Sequence, residues 1–220
     1  MKNLDNVTIV CLNGGNPTLG AKALIHSMKD INFGRAILFS PFAPEPLTDK
    51  LFNKIEYIPI KKLTHQGSSW FALTQFPEYV KTDFCLSIHD DGFVINPHLW
   101  TDEFLDYDYI GAPWANGYVG NGGFVLKSKL FMELAKTMPW NGEHDDWHAC
   151  VTHQNYFLSN GCKFAPLEVA LKFSLEGVVP GYEYDLNNCF GFHGRGTVEY
   201  LFQGKGQQFK DRIKLLDAIN

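Results

Sequence analysis

Four short strand-like runs, each ending in a polar or glycine-rich tip and spaced by helix-like stretches, constrain this chain most strongly. Val7-Thr8-Ile9-Val10-Cys11-Leu12 is the first, Ala36-Ile37-Leu38-Phe39 the second, Ile55-Glu56-Tyr57-Ile58 the third and Asp83-Phe84-Cys85-Leu86-Ser87-Ile88 the fourth. After the first run, Asn13-Gly14-Gly15 stops the strand and Asn16-Pro17 supplies a helix N-cap with proline at the first helical position. Leu24, Ile25 and Met28 then share one helical face. A second helix is predicted from about Ser69 to Val80, with Pro77 near its end. Strands alternating with helices predict an α/β fold whose mixed, mostly parallel sheet is flanked by helices.

The second half is less regular. Phe124-Val125-Leu126-Lys127 reads as a strand, Ser128 as the cap of a helix carrying Leu130, Phe131 and Leu134, and a further helix is expected from near Asp145 to Asn160-Gly161. Phe209, Ile213 and Leu216 predict an amphipathic helix over about 207–218. With 220 residues and no internal repeat, low-complexity tract or linker, one domain is expected: a nucleotide-binding half over about 1–97, then an acceptor and catalytic half over about 98–200.

Composition closes off other classes. A hydrophobic share of 45% against 20% charged residues supports a packed core and excludes global disorder. The 19 Lys and Arg against 24 Asp and Glu leave a net charge of −5, which argues against non-specific nucleic-acid binding. No apolar run approaches the ~20 residues that span a bilayer. Met1 to Asn6 carries charge and amide where a leader would carry an apolar stretch, so a cytoplasmic protein is expected. Cys11, Cys85, Cys150, Cys162 and Cys189 are scattered and never in C-x-x-C spacing, which reads as buried free thiols in a reducing compartment. The aromatic excess, 18 Phe, 9 Tyr and 5 Trp, either fills the core or lines a pocket for sugars and bases.

Four polar clusters fall where α/β folds build their sites. His89-Asp90-Asp91-Gly92 follows the fourth strand, and adjacent carboxylates there repel unless a hard divalent cation such as Mn²⁺ or Mg²⁺ lies nearby, holding a diphosphate on its other side. Asp-Asp-Gly is equally good turn chemistry. Gly120-Asn121-Gly122-Gly123 would let backbone N–H groups approach a ligand, with Trp114 as a platform for a sugar face or a core side chain. Glu143-His144-Asp145-Asp146-Trp147-His148 allows three readings: plain N-capping, a carboxylate at a helix end acting as general base, or a His144-to-His148 imitation of the zincin helix, which the short Asp145 argues against. His193, between glycines in Gly191-Phe192-His193-Gly194, is free to reach a metal or a phosphate.

Taken together and in this order, the clusters resemble the GT-A glycosyltransferases, in particular a poorly characterised family reading D-G-Y/F-V-I-N-P, Y-D-Y-I-G-A-P-W, G-N-G-G-F, E-D and G-F-H-G. The matching residues are Asp91 to Pro97, Tyr107 to Trp114, Gly120 to Phe124, Asp145-Asp146 and Gly191 to Gly194. The resemblance implies a GT-A, Rossmann-like fold and a metal-dependent, inverting transfer of a sugar from a nucleotide-diphosphate sugar, UDP by analogy. It implies that His89, Asp90 and Asp91 stand in the D-x-D position, with His89 replacing its first aspartate, and that Asp91 and His193 ligate Mn²⁺ or Mg²⁺. Gly120 to Gly123 would lie near donor and acceptor, and Asp145-Asp146 would fill the acidic pair whose second member is the base. The acceptor stays open among saccharide, protein, small molecule and modified nucleobase. Two rivals remain: a metal-dependent hydrolase or nucleotidyltransferase, and a degenerate sugar-binding domain without turnover. Against the nucleotidyltransferase, Asn13 to Pro17 carries no cation.

Overall fold

The computed structural model describes residues 1–182 and 185–194; the helix predicted over 207–218 lies outside them. Six strands form the main sheet: β1 (Lys2–Leu12), β2 (Ile31–Ser40), β3 (Ile55–Pro59), β4 (Phe84–Ile88), β5 (Tyr109–Gly111) and β6 (Phe124–Ser128). Their spatial order is β3-β2-β1-β4-β6-β5. The four predicted runs supply β1 to β4, all parallel, while β6 runs antiparallel to both β4 and β5. A two-stranded parallel sheet, β7 (Ser174–Leu175) with β8 (Gly191–Phe192), completes the set.

Around the sheets lie α1 (Pro17–Met28), α2 (His65–Thr74), α3 (Phe76–Tyr79), α4 (Lys129–Thr137), α5 (Asp145–Trp147), α6 (Gln154–Ser159) and α7 (Leu167–Phe173). The caps read from the sequence are in place: Asn16 Oδ1 accepts from Thr18 N, Pro17 opens α1, and Ser128 Oγ accepts from Phe131 N. None of these helices is long and apolar enough to cross a membrane.

Burial on both faces explains why the central strands are mostly apolar rather than alternating. Along β1, Ile9 and Cys11 join one apolar layer with Leu38 and Leu86, while Val10 joins the opposite layer with Ile37, Phe39 and Cys85. All five cysteines are free and buried, as expected. Most of the phenylalanine excess is core: Phe104, Phe124, Phe173 and Phe190 pack with ring centroids 5.2–6.1 Å apart.

Several boundaries differ from expectation. The helix predicted over 69–80 begins at His65, capped by Thr64, and breaks at Gln75 into α2 and α3. The helix predicted from 145 to 160 is interrupted by a π-type turn at His148–Thr152, which buries His148, Ala149 and Cys150. Its predicted stop holds, with Gly161 at φ 88°.

Candidate functional site

Strand order reverses between β1 and β4, and crevices beyond the strand ends at such a point are where open α/β sheets bind ligands. The antiparallel register sets Ile88 opposite Phe124, so the tip after β4 and the loop before β6 share one sheet edge. His89 N donates to Gly123 O at 3.0 Å there. The third segment arrives through β8: Gly191 bridges Val94, and Gly194 N donates to Asp91 O at 2.9 Å. Asn96 clamps this approach, its Nδ2 donating to Leu186 O and Cys189 O. In this way residues far apart in sequence bring His89, Asp91 and His193 together, with one ligand atom from each within 4.8 Å of the others. Asp90, predicted beside them, does not enter this group; its carboxylate acts through space on buried Cys11 and on His89.

Gly123 is required by the approach of His193, since a Cβ at that residue would fall 2.1 Å from Nε2. Asn121 takes the left-handed backbone at φ 69°, which asparagine tolerates better than other side-chain-bearing residues. Its Oδ1 accepts from Gly123 N at 2.8 Å and Phe124 N at 3.0 Å, turning Nδ2 toward His193 Nδ1, 3.0 Å away. Glu176 Oε1 also lies 3.0 Å from that nitrogen, while Nε2 faces Asp91 Oδ1 at 3.4 Å. The loop differs here from the ligand cradle suggested by its glycines. The N–H groups of Gly120, Gly122, Gly123 and Phe124 are taken up by Ala112 O, Asp146 Oδ2 and Asn121 Oδ1, because the glycines make room for protein side chains instead. Trp114 is one of these: a Cβ on Gly120 would meet its indole at 2.2 Å.

The two aspartates of α5 are unlike. Asp145 pairs with Lys127 of β6, whose side chain is 2% exposed, at 3.5 Å. Asp146 accepts from Gly122 N at 3.1 Å and from Trp147 N at 2.7 Å. Burial first, then the charge of Asp145, raises the Asp146 carboxyl above its ordinary value. The zincin arrangement is absent: His148 Nδ1 faces Glu143 at 3.4 Å and its ring packs on His153, whereas His144 packs on His65.

Electrostatics bind the histidine cluster together. Burial, and then the charge of His193, lowers His89, which favours the neutral ring that can offer a lone pair. Burial opposes charge on His193 too, but hydrogen bonds to Asp91 and Glu176 outweigh it and raise this imidazole to about 9. Burial likewise opposes charge on both carboxyls, yet Asp91 and Glu176 stay below their ordinary values, chiefly through His193. A group raised from 6.5 to about 9 on folding adds stability that is complete below pH 6.5 and is lost as pH climbs through 9. The metal-free protein in EDTA is therefore expected to lose on the order of 3 kcal/mol across that window. Thermal melts of His193→Gln should lack this alkaline slope; an unchanged slope would place its origin elsewhere.

The donors fit a divalent ion. Glu176 on Nδ1 is the arrangement in which a carboxylate orients a metal-binding imidazole, leaving Nε2 aimed at the space shared with Asp91 and His89. Two imidazoles and one carboxylate suit Mn²⁺ better than Mg²⁺, which prefers oxygen ligands throughout. Glu176 and Lys127 were not legible as site residues: one lies in an unpatterned Glu-Gly-Val-Val-Pro stretch and the other at the end of an apolar strand.

A family model described as "Protein of unknown function (DUF5672)" matches residues 54–193, a span holding all of these side chains. No curated protein matches the chain. Among solved structures, an active-site mutant of LgtC superimposes with a TM-score of 0.51 at 14% identity, covering 96% of this chain and 95% of that one. A glycosyltransferase involved in the glycosylation of the major capsid of PBCV-1 gives 0.50 at 16% identity, covering 96% and 98%. LgtC described as a galactosyltransferase with donor and acceptor sugar analogues gives 0.47 at 14% identity, covering 93% and 94%. At these identities the likeness is one of fold, and the fold is GT-A.

Proposed function

Since the chain belongs to the DUF5672 family and has a GT-A fold, we propose that it is a metal-dependent glycosyltransferase using a nucleotide-diphosphate sugar. The observation that carries this reading is the convergence of His89, Asp91 and His193 beside a carboxylate with raised proton affinity, Asp146. His89, Asp91 and His193 would hold the ion, Mn²⁺ in preference to Mg²⁺. When bound, it supplies positive charge against the diphosphate that leaves.

The chain's own residues do the rest. Asp146, fixed by the N–H groups of Gly122 and Trp147, takes the proton from an acceptor hydroxyl. The hydroxyl oxygen bonds to the anomeric carbon as the bond from that carbon to the diphosphate oxygen breaks, and its electron pair leaves with the nucleotide. This single displacement inverts the anomeric centre. Asp145, paired with Lys127, positions its neighbour rather than sharing the proton transfer.

The test is a thermal-shift panel of UDP, GDP, CDP, dTDP and their sugars, each with Mn²⁺ and with EDTA. A ligand at a hundred times its Kd adds about 2.7 kcal/mol to the folded state, which is about 5–11 °C in Tm for a chain of this size. One nucleotide family is expected to stabilise the protein with Mn²⁺, and the effect should vanish in EDTA and in Asp91→Ala. Equal response to all diphosphates in EDTA, or to none with metal, would overturn the donor site.

A further inference from the structure

Trp147 is 45% exposed and follows directly after Asp146. Its indole lies 5.9 Å from that of Trp114, with the planes 32° apart. Trp114 is itself held firmly: it packs over Gly120 and makes backbone hydrogen bonds with Tyr118 O and Gly117 N. The result is an apolar shelf of two indoles, backed by the loop at Gly120 and adjoining the proposed base.

The surroundings narrow what can lie on this shelf. Asp145 precedes Asp146 and Glu176 acts on Asp146 through space, while Lys127 is buried against Asp145 and His193 lies between Asp91 and Glu176. A phosphate-bearing acceptor such as DNA would be repelled. A compound fit for both features is neutral, has an apolar face for the indole and carries hydroxyls within reach of a carboxylate.

We propose that Trp147, backed by Trp114, is the acceptor subsite and that the acceptor is a neutral saccharide. One pyranose face stacks on Trp147 and directs a hydroxyl toward Asp146. This rests on Asp146 being the base; binding to the shelf is separable from turnover.

The experiment is ¹⁹F NMR of protein labelled with 5-fluorotryptophan. The five tryptophans give five signals, and Trp147→Phe assigns the relevant one. The probes are neutral methyl glycosides and disaccharides, with a Ser/Thr-rich peptide and a short DNA carrying hydroxymethylated bases as contrasts. At least one saccharide is expected to move the Trp147 signal saturably, and Trp147→Ala should weaken that saccharide's binding, read by calorimetry, about tenfold. Trp147→Phe should retain most of the affinity, and the Mn²⁺-dependent nucleotide response should persist in both variants. The proposal fails if no saccharide moves the signal, if binding survives Trp147→Ala, or if peptide or DNA moves it instead. Saccharide binding without any nucleotide response would count against glycosyl transfer while leaving the subsite standing.

Discussion

Asp146→Asn is expected to reduce sugar transfer by ~10²- to 10⁴-fold, the range for loss of a positioned general base, while Mn²⁺-dependent nucleotide binding survives. The substitution isolates the proton. Asparagine keeps the shape of aspartate and a carbonyl oxygen that can accept from Gly122 N, so the turn before β6 keeps its hydrogen bond. What disappears is the capacity to receive a proton from the acceptor hydroxyl. Because Asp146 is raised by burial and by Asp145, the acid limb of the wild-type pH–rate profile should lie above the ordinary carboxylate value of 3.8. The base must be ionised to act, so activity rises with pH through that limb. Loss of nucleotide binding in Asp146→Asn would move this carboxylate into the donor site and refute its role as base.

The second large effect concerns stability. Lys127→Met removes the cation from a pair in which the lysine side chain is 2% exposed and that of Asp145 17%. Breaking one side of a buried pair costs several kcal/mol because a charge is left without compensation. The slight exposure of Asp145 places the expected loss near the lower end of that range, about 3 kcal/mol, or ~6–12 °C in Tm. Adding Asp145→Asn should recover part of the loss, since the orphaned charge is then gone, and the double-mutant cycle measures the coupling. A melt within ~0.5 kcal/mol of wild type would show that the pair does not hold α5 against β6.

The parts of the fold legible in the sequence are those written locally. Asn16-Pro17 marked the start of α1, and mostly apolar, β-branched runs marked β1 to β4, the central ones buried on both faces. The first residues of β1, Lys2 to Asn6, are mostly polar and enter the sheet only through pairing with β2, whose register shifts between Leu4 and Thr8. Strand β5 has three residues, too few for any period to show. Helix α7 has no side-chain cap to announce it, since Pro166 stands at its N-cap. At the site, His89, Asp91, His193 and Asp146 were visible as chemistry out of place in a pattern. Trp147 passed as one more aromatic, because exposure is a property of packing and not of residue type. The resemblance puts Asp90 beside Asp91 in the D-x-D position, with Asp91 as the ligand, and the turn after β4 keeps Asp90 out of the group that His89, Asp91 and His193 form.

The clasp formed by Asn96 on the segment before β8 has a consequence for how the molecule breathes. That segment meets the body through Val94–Gly191, the bonds of Ile95 and Asn96 to Phe190, a two-residue pairing with β7, and the buried rings of Phe190 and Phe192 in the core. The six-stranded sheet does not need it for its own ladders. Opening confined to this segment would carry His193 away while β1 to β6 remain folded, a sub-global step of lower free energy than complete unfolding. The proposed metal ligands would then sit on two cooperative units, and an ion held by both would act as a tether, slowing amide exchange at Phe190 to His193 more than in the central strands.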